Sequence, residues 1–168
     1  MTDDSYKDKF LDILEENIGI IIKISRVYTK VEQDKEDLIN DITLELWKSF
    51  KNFTGNSKIS TWIYRVALNT SMNYKRKKKN DKLFSSLDDL KIGTIEWLNQ
   101  QDNSSDTEIL YYCIEQLNEL NKAIILLYLD GYSHDEISDI TGISKTNVGT
   151  RIGRIKEKIR NLVFKKSL

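Results

Sequence analysis

Proline is missing from this chain of 168 residues, and glycine occurs only seven times. A chain so poor in helix-breaking and turn-forming residues is expected to be mostly helical. The single cysteine, Cys113, excludes an intrachain disulfide and a cysteine-rich metal site. The single histidine, His134, excludes paired-histidine metal motifs and leaves little material for acid–base catalysis. No run of 18 or more apolar residues occurs, so no membrane span is expected. The opening residues Met1-Thr2-Asp3-Asp4 are acidic and unlike a secretory leader, which makes a cytoplasmic location the expectation. Net charge is absent too, with 26 basic residues against 26 acidic ones. What remains, 39% hydrophobic and 31% charged, is polar but able to fold, and long enough for one medium domain or two small ones.

The zero net charge hides a segregation. Residues 58–79 hold seven basic residues and no acid, and residues 143–168 hold eight basic residues and one acid, Glu157. Residues 31–46 carry six acids against Lys35, and residues 106–142 carry eight against Lys122. Any one such run also fits a solvated face. Two basic runs that each fall on a motif point to two contacts with a polyanion, and the acidic runs to a different partner.

In the first block, Phe10, Leu14, Ile18, Ile21, Ile24 and Tyr28 recur at helical spacing, with Ile20, Ile22 and Val27 adding apolar surface beyond that stripe. A second helix is expected to open at Asp34 as N-cap, with Asp37 in a capping-box-like position. At about 100° per residue, Leu38, Ile39, Ile42, Leu46 and Phe50 share one side, and Asp34, Asp37, Asp41 and Glu45 form a separate stripe. Complementation of the helix dipole accounts for the first two aspartates but not the last two. Four carboxylates beside an exposed edge of Leu38 suit a basic protein surface. Residues 53–57 read as a loop, followed by a third helix starting near Ser57 or Ser60 and running through the basic tail. Its buried side is expected to be Ile59, Ile63, Val66, Ala67 and Tyr74. Trp62, Arg65, Asn69, Asn73 and Arg76 fall on the opposite arc. A tryptophan exposed among cations and amides suits base stacking with phosphate neutralisation; the alternative is that Trp62 packs against a neighbouring helix or loop.

Residues 80–105 carry five acids and two lysines with weak periodicity, and read as an acidic connector with one short turn around Ile92, Ile95, Trp97 and Leu98. Domains are therefore expected at 1–79 and 106–168. In the second, Leu110, Ile114 and Leu117, then Leu120, Ile124 and Leu127, mark two short helices, with Gly131 closing the latter. Ser133 with Glu136 forms a capping box, Gly142 ends that helix, and Ser144 caps a last one. This is a helix-turn-helix pattern. On the last helix Val148, Ile152, Ile155, Ile159 and Leu162 form the apolar side. Thr146, Asn147, Thr150, Arg154 and Lys158 lie opposite, with Arg151 at the border. Short hydrogen-bonding residues followed by cations suit entry into a major groove, where asparagine can pair with adenine and arginine with guanine. Gly149 and Gly153 each cost about 1 kcal/mol relative to alanine in a helix interior.

Together these segments resemble the extracytoplasmic-function group of bacterial sigma factors, across nearly the whole chain. Asp34-Lys35-Glu36-Asp37-Leu38-Ile39-Asn40-Asp41, followed by Trp47, is similar to the family's region-two helix that binds the clamp helices of RNA polymerase. The stretch from Phe53 through Trp62 to Asn69 resembles the part that melts and captures the promoter minus-ten element. Gly131 to Ile137 and Gly142 to Arg154 resemble region four, which binds the minus-thirty-five element. The resemblance implies an all-α fold of two small helical domains, core polymerase and promoter DNA as partners, an anti-sigma factor as a further candidate partner, and neither cofactor nor metal. It implies polymerase contacts at Asp34, Asp37, Leu38, Asp41 and Glu45. It implies minus-ten contacts at Phe53, Asn56, Ser57, Lys58, Trp62, Arg65, Asn69, Asn73 and Arg76. It implies minus-thirty-five contacts at Ser133, Ser144, Lys145, Thr146, Asn147, Thr150, Arg151, Arg154 and Lys158. Asn40 stands where relatives usually have glutamine, Asn118 where they often have proline, and Gly149 and Gly153 where polar residues are common.

Two other readings compete. An autonomous helix-turn-helix regulator predicts a dimer that binds duplex without polymerase. A helical adaptor predicts no salt-dependent DNA binding. An enzyme fits least, since no nucleophile–base pair, phosphate loop or metal cluster is visible in the sequence.

Overall fold

The computed structural model describes residues 3–81 and 105–166. Seven helices and no strand occur among them: α1 (Asp3–Tyr28), α2 (Glu32–Phe50), α3 (Ile59–Asp81), α4 (Ser105–Glu115), α5 (Glu119–Leu129), α6 (His134–Thr141) and α7 (Lys145–Lys166). They fall into two compact units, Met1–Asn99 and Gln100–Leu168. The connector turn expected around Ile92 to Leu98 lies outside the described residues.

In the first unit α1, α2 and α3 pack on one another. The stripe of α1 is buried at Phe10, Ile21, Ile24 and Tyr28, and Val27 joins it, whereas Ile22 stays 41% exposed. Leu38, Ile42, Leu46 and Phe50 of α2 close the core from the other side. Aromatic rings tie the end of α2 to the start of α1: Phe10 lies 5.0 Å from Trp47 and 5.3 Å from Phe50, and Tyr6 lies 4.8 Å from Phe50. Such tilted and edge-on pairs add to what burial alone supplies.

Two expectations need correcting here. Helix α2 begins two residues before Asp34, with Val31 at the N-cap and no side chain capping it, so Asp34 sits inside the first turn. The buried side of α3 is also turned from the one expected. Ile63 and Ala67 are buried as expected, but with them come Tyr64, Leu68 and Ser71, while Ile59 is 36% exposed. Ser71 satisfies its hydroxyl by donating to the carbonyl of Ala67 at 2.7 Å. A buried serine that repays its own polar cost in this way is invisible to a count of apolar spacing.

In the second unit α5 is the central helix. Six consecutive residues, Lys122 to Leu127, are buried, so it is covered on every side rather than along a stripe. Lys122 keeps its ammonium 3.9 Å from Glu119. Helix starts in this unit are sequence-coded. The side chain of Asn118 accepts from the Asn121 N–H at 2.8 Å. Ser133 and Glu136 form the reciprocal capping box, at 2.8 and 3.1 Å. The hydroxyl of Ser144 accepts from the Asn147 N–H at 3.2 Å. Gly131 and Gly142 take positive φ, +86° and +78°, as the residues that end α5 and α6.

Candidate nucleic-acid and polymerase interfaces

Helix α7 carries the clearest face. Val148, Ile152 and Ile155 are buried against α5 and α6. Opposite them Thr146, Asn147, Thr150, Arg154 and Lys158 are exposed, as is Lys145 beside the cap. Arg154 makes no hydrogen bond or ion pair among the described residues. Other members of the expected set are partly engaged. Lys145 pairs with Asp135 at 3.1 Å, an ion pair exposed on both sides and of little weight. Lys158 leans back toward the Gln116 carbonyl at 3.4 Å. The hydroxyls of Ser133 and Ser144 are occupied as caps. Arg151 is half-buried and donates twice inside the unit, from Nη1 to Asn121 Oδ1 at 3.0 Å and from Nε to Asn147 Oδ1 at 3.2 Å.

The glycines of α7 differ from each other. A β-carbon at Gly149 would meet the His134 imidazole at 3.5–3.6 Å, while at Gly153 it would meet nothing within 4 Å. That is ordinary van der Waals contact, so a side chain as small as alanine fits beside the ring of His134, and no internal contact explains either glycine. The far half of α7 is pinned by cations on aromatic rings. Lys156 donates to the Tyr128 hydroxyl at 2.6 Å and lies 4.4 Å from its ring centre, and Lys166 lies 4.0 Å from that of Tyr112.

On α3, Arg65, Asn69, Asn73 and Arg76 are exposed together. Trp62 belongs to the same side of the helix but is only 8% exposed. The expectation of an exposed tryptophan is thus corrected, and its cover is the chain's own loop. Phe53 stacks on Trp62 at 4.9 Å between ring centres, and Phe50 lies at 6.1 Å. Backbone turns from Asn52 to Ser49 and from Phe53 to Phe50 fold the loop back over α3, and Gly55 supplies the left-handed residue, φ +78°, that it requires. Helical periodicity ranks the sides of a helix but carries no information on what a following or preceding loop lays across them. At the loop's crest Asn56 and Lys58 are exposed and Ser57 half-buried.

The acidic stripe of α2 is present. Asp37, Asp41 and Glu45 are exposed and Asp34 is half-buried. Leu38 shows no exposed edge; it is 0% exposed, which removes it as a surface contact. It lies on the apolar side of a helix that packs on α1 and α3. Sequence reasoning missed the neighbour of this stripe, Tyr74 of α3. Burial raises the pKa of its phenol, and the carboxylates of Asp34, Asp37 and Asp41 raise it further. The missed signal was tertiary, since nothing in the spacing of α3 tells that its later turns run beside the start of α2.

Among the described residues no helix is long and apolar enough to cross a membrane, and no group of three His, Cys, Asp or Glu residues is placed to hold a metal ion. The sequence matches the family described as Sigma-70 region 2 over residues 13–80 and that described as Sigma-70, region 4 over residues 107–159. It is 30% identical over 141 residues to the ECF RNA polymerase sigma-E factor of Haemophilus influenzae, which covers 77% of this chain and 75% of that protein. The chain belongs to the extracytoplasmic-function sigma factors. The sigma-E factor of Escherichia coli K12 is 30% identical over the same length, covering 77% of this chain and 74% of its own. As a sigma factor the protein directs RNA polymerase to promoters, and the family is not a class of enzymes. Two solved structures share the fold. One is the sigma factor RpoE of Bartonella quintana in complex with the anti-sigma factor NepR, with TM-score 0.67 and 19% identity, covering 95% of this chain and 96% of that one. The other is CnrH in complex with the cytosolic domain of CnrY, with TM-score 0.65 and 20% identity, covering 94% and 88%.

Proposed function

We propose that the sigma factor divides its work between the two units, the first (1–79) docking on polymerase and opening the minus-ten element, the second (106–168) binding the minus-thirty-five element. The observation that carries this is the polarity of α7. One side is buried at Val148, Ile152 and Ile155, and the other presents Thr146, Asn147, Thr150 and Arg154 to solvent. The helix start lies at the exposed end of a capped helix-turn-helix, where a major groove can receive it.

In the first unit, Asp34, Asp37, Asp41 and Glu45 form an anionic ridge for a basic surface of core polymerase, with Leu38 acting from beneath as packing. Arg65, Asn69, Asn73 and Arg76 follow the strand backbone, with Asn56, Ser57 and Lys58 at the loop. Phe53 covers Trp62, with the tilted rings 4.9 Å apart, and has to move aside before Trp62 can stack on a base. Promoter melting in this scheme includes opening of the protein's own loop. Residues 80–105 act as the acidic linker. A protein that works with polymerase acts in the cytoplasm, and control by a separate anti-sigma factor fits a chain related in fold to a sigma factor solved with such a partner.

The decisive experiment mixes the purified chain with bacterial core polymerase and DNA fragments from its own genome. Holoenzyme formation and discrete transcripts support the proposal; absence of both overturns it. Within it, Arg154→Ala should weaken upstream-element binding by about 1–3 kcal/mol if the guanidinium pairs with a base.

A further inference from the structure

Arg151 links the side chains of α5 and α7. Its guanidinium bonds Asn121 of α5 at 3.0 Å and Asn147 of α7 at 3.2 Å. A guanidinium has donors only, so the atom of each amide that faces it is the oxygen. The amide of Asn147 is therefore oriented: Oδ1 turns toward Arg151, and the Nδ2 amine, which makes no hydrogen bond among the described residues, remains for an outside partner. Asn147 is exposed at the third position of α7, with its backbone N–H held by the Ser144 hydroxyl at 3.2 Å, so its base of attachment is fixed as well. Asn121 is fixed in the same way, by the bond from its backbone N–H to Asn118 at 2.8 Å.

We infer that Asn121 and Arg151 are positioning residues that turn Asn147 into a donor-only reader, selecting guanine in the upstream element. This deepens the proposed role of α7 and rests on it. An asparagine free to present both ends matches adenine, donating to N7 while accepting from N6. Here one lone pair of Oδ1 is engaged by Arg151, and the cationic guanidinium beside it disfavours the approach of a further donor such as adenine N6. Two N–H groups facing outward instead meet guanine, whose major-groove edge offers N7 and O6 as adjacent acceptors. Asn121 belongs to the helix before the helix-turn-helix and contributes by a side chain that its own cap does not use.

The test is selection of a duplex library, randomised over ten base pairs of the upstream element, by holoenzyme rebuilt from core polymerase and the full-length chain. The unaltered chain should enrich guanine at one position, and Asn147→Ala should lose the preference there alone. Asn121→Ala should relax the same position toward adenine, by about fivefold or more in the guanine-to-adenine ratio, leaving the other positions unchanged. Asn121→Asp keeps an acceptor for Arg151 and should restore the guanine preference, which a merely structural role for Asn121 does not predict. An unchanged profile in Asn121→Ala, with Asn147→Ala altered, overturns the relay while leaving the role of α7 intact. No enrichment at any position with the unaltered chain overturns it through failure of the reading beneath, whereas enrichment that Asn147→Ala leaves unchanged overturns the relay alone, since Thr150 and Arg154 remain on the same face. Enrichment of adenine at the Asn147-dependent position overturns the donor-only assignment.

Discussion

The two helices proposed to meet nucleic acid, one in each unit, stand in opposite conditions. The polar face of α7 is bare, whereas that of α3 has its most aromatic residue roofed by a loop. Thr146, Asn147, Thr150 and Arg154 are all exposed, while Trp62 is 8% exposed beneath Phe53. The helix starts differ in the same sense, with side-chain caps at α5, α6 and α7 and none at α2. Recognition of intact duplex needs a preformed surface. Capture of an unpaired base needs one that opens only when the strands do. The difference between the units fits the division of labour proposed for them.

Disrupting the core of α2 should separate packing from docking most strongly. Leu38→Ala, at a 0% exposed position, should cost about 2–5 kcal/mol and lower the melting temperature of the first unit, followed by circular dichroism. Asp37→Lys with Asp41→Lys should leave the melting temperature nearly unchanged and weaken polymerase binding; a loss of stability as large as that of Leu38→Ala would erase the distinction between ridge and core.

The roof over Trp62 gives the next contrast. Phe53→Ala should make Trp62 more accessible to acrylamide, read in a chain whose other tryptophans, Trp47 and Trp97, are phenylalanine. Quenching identical to that of the roofed protein would show that Phe50 and the α3 surroundings suffice to bury it. Caps can then be traded between units. Ser133→Ala should destabilise the second unit by about 1 kcal/mol, and Val31→Asp, supplying the cap α2 lacks, should stabilise the first by about as much.

The smallest effect concerns pH. A phenol whose folded pKa is raised favours folding while protonated. Its contribution is present below the ordinary tyrosine range of about 10 and fades as pH rises through the higher folded value. Stability of the first unit should therefore decline as the solution becomes more alkaline than about pH 10, and Tyr74→Phe should make the decline shallower. An unchanged slope would detach Tyr74 from the acidic stripe.

The second unit was the more legible in sequence. Ser133, Glu136, Gly142 and Ser144 announce helix ends by local chemistry, and local chemistry acts wherever the chain folds. The polar side of α7 was legible as well, since its residues stay exposed among the described residues. In the first unit the order of helices, the α1 stripe and the exposed carboxylates of α2 could also be read. The rotation of α3 could not, because Tyr64 and Ser71 enter the core through a phenol and a hydroxyl that a hydrophobic count discards.

By itself the sequence determined seven helical segments in two groups, which side of α7 is polar, and the family. Those follow from spacing, caps and motif order, all properties of neighbours along the chain. Only the tertiary structure decided that Leu38 is sealed, that Trp62 lies under Phe53, that Tyr74 stands beside the aspartates, and that Asn121 reaches Asn147 through Arg151. Each of those depends on which residue a distant segment brings into contact. Contact across 30 positions, as between Arg151 and Asn121, leaves no mark in local periodicity.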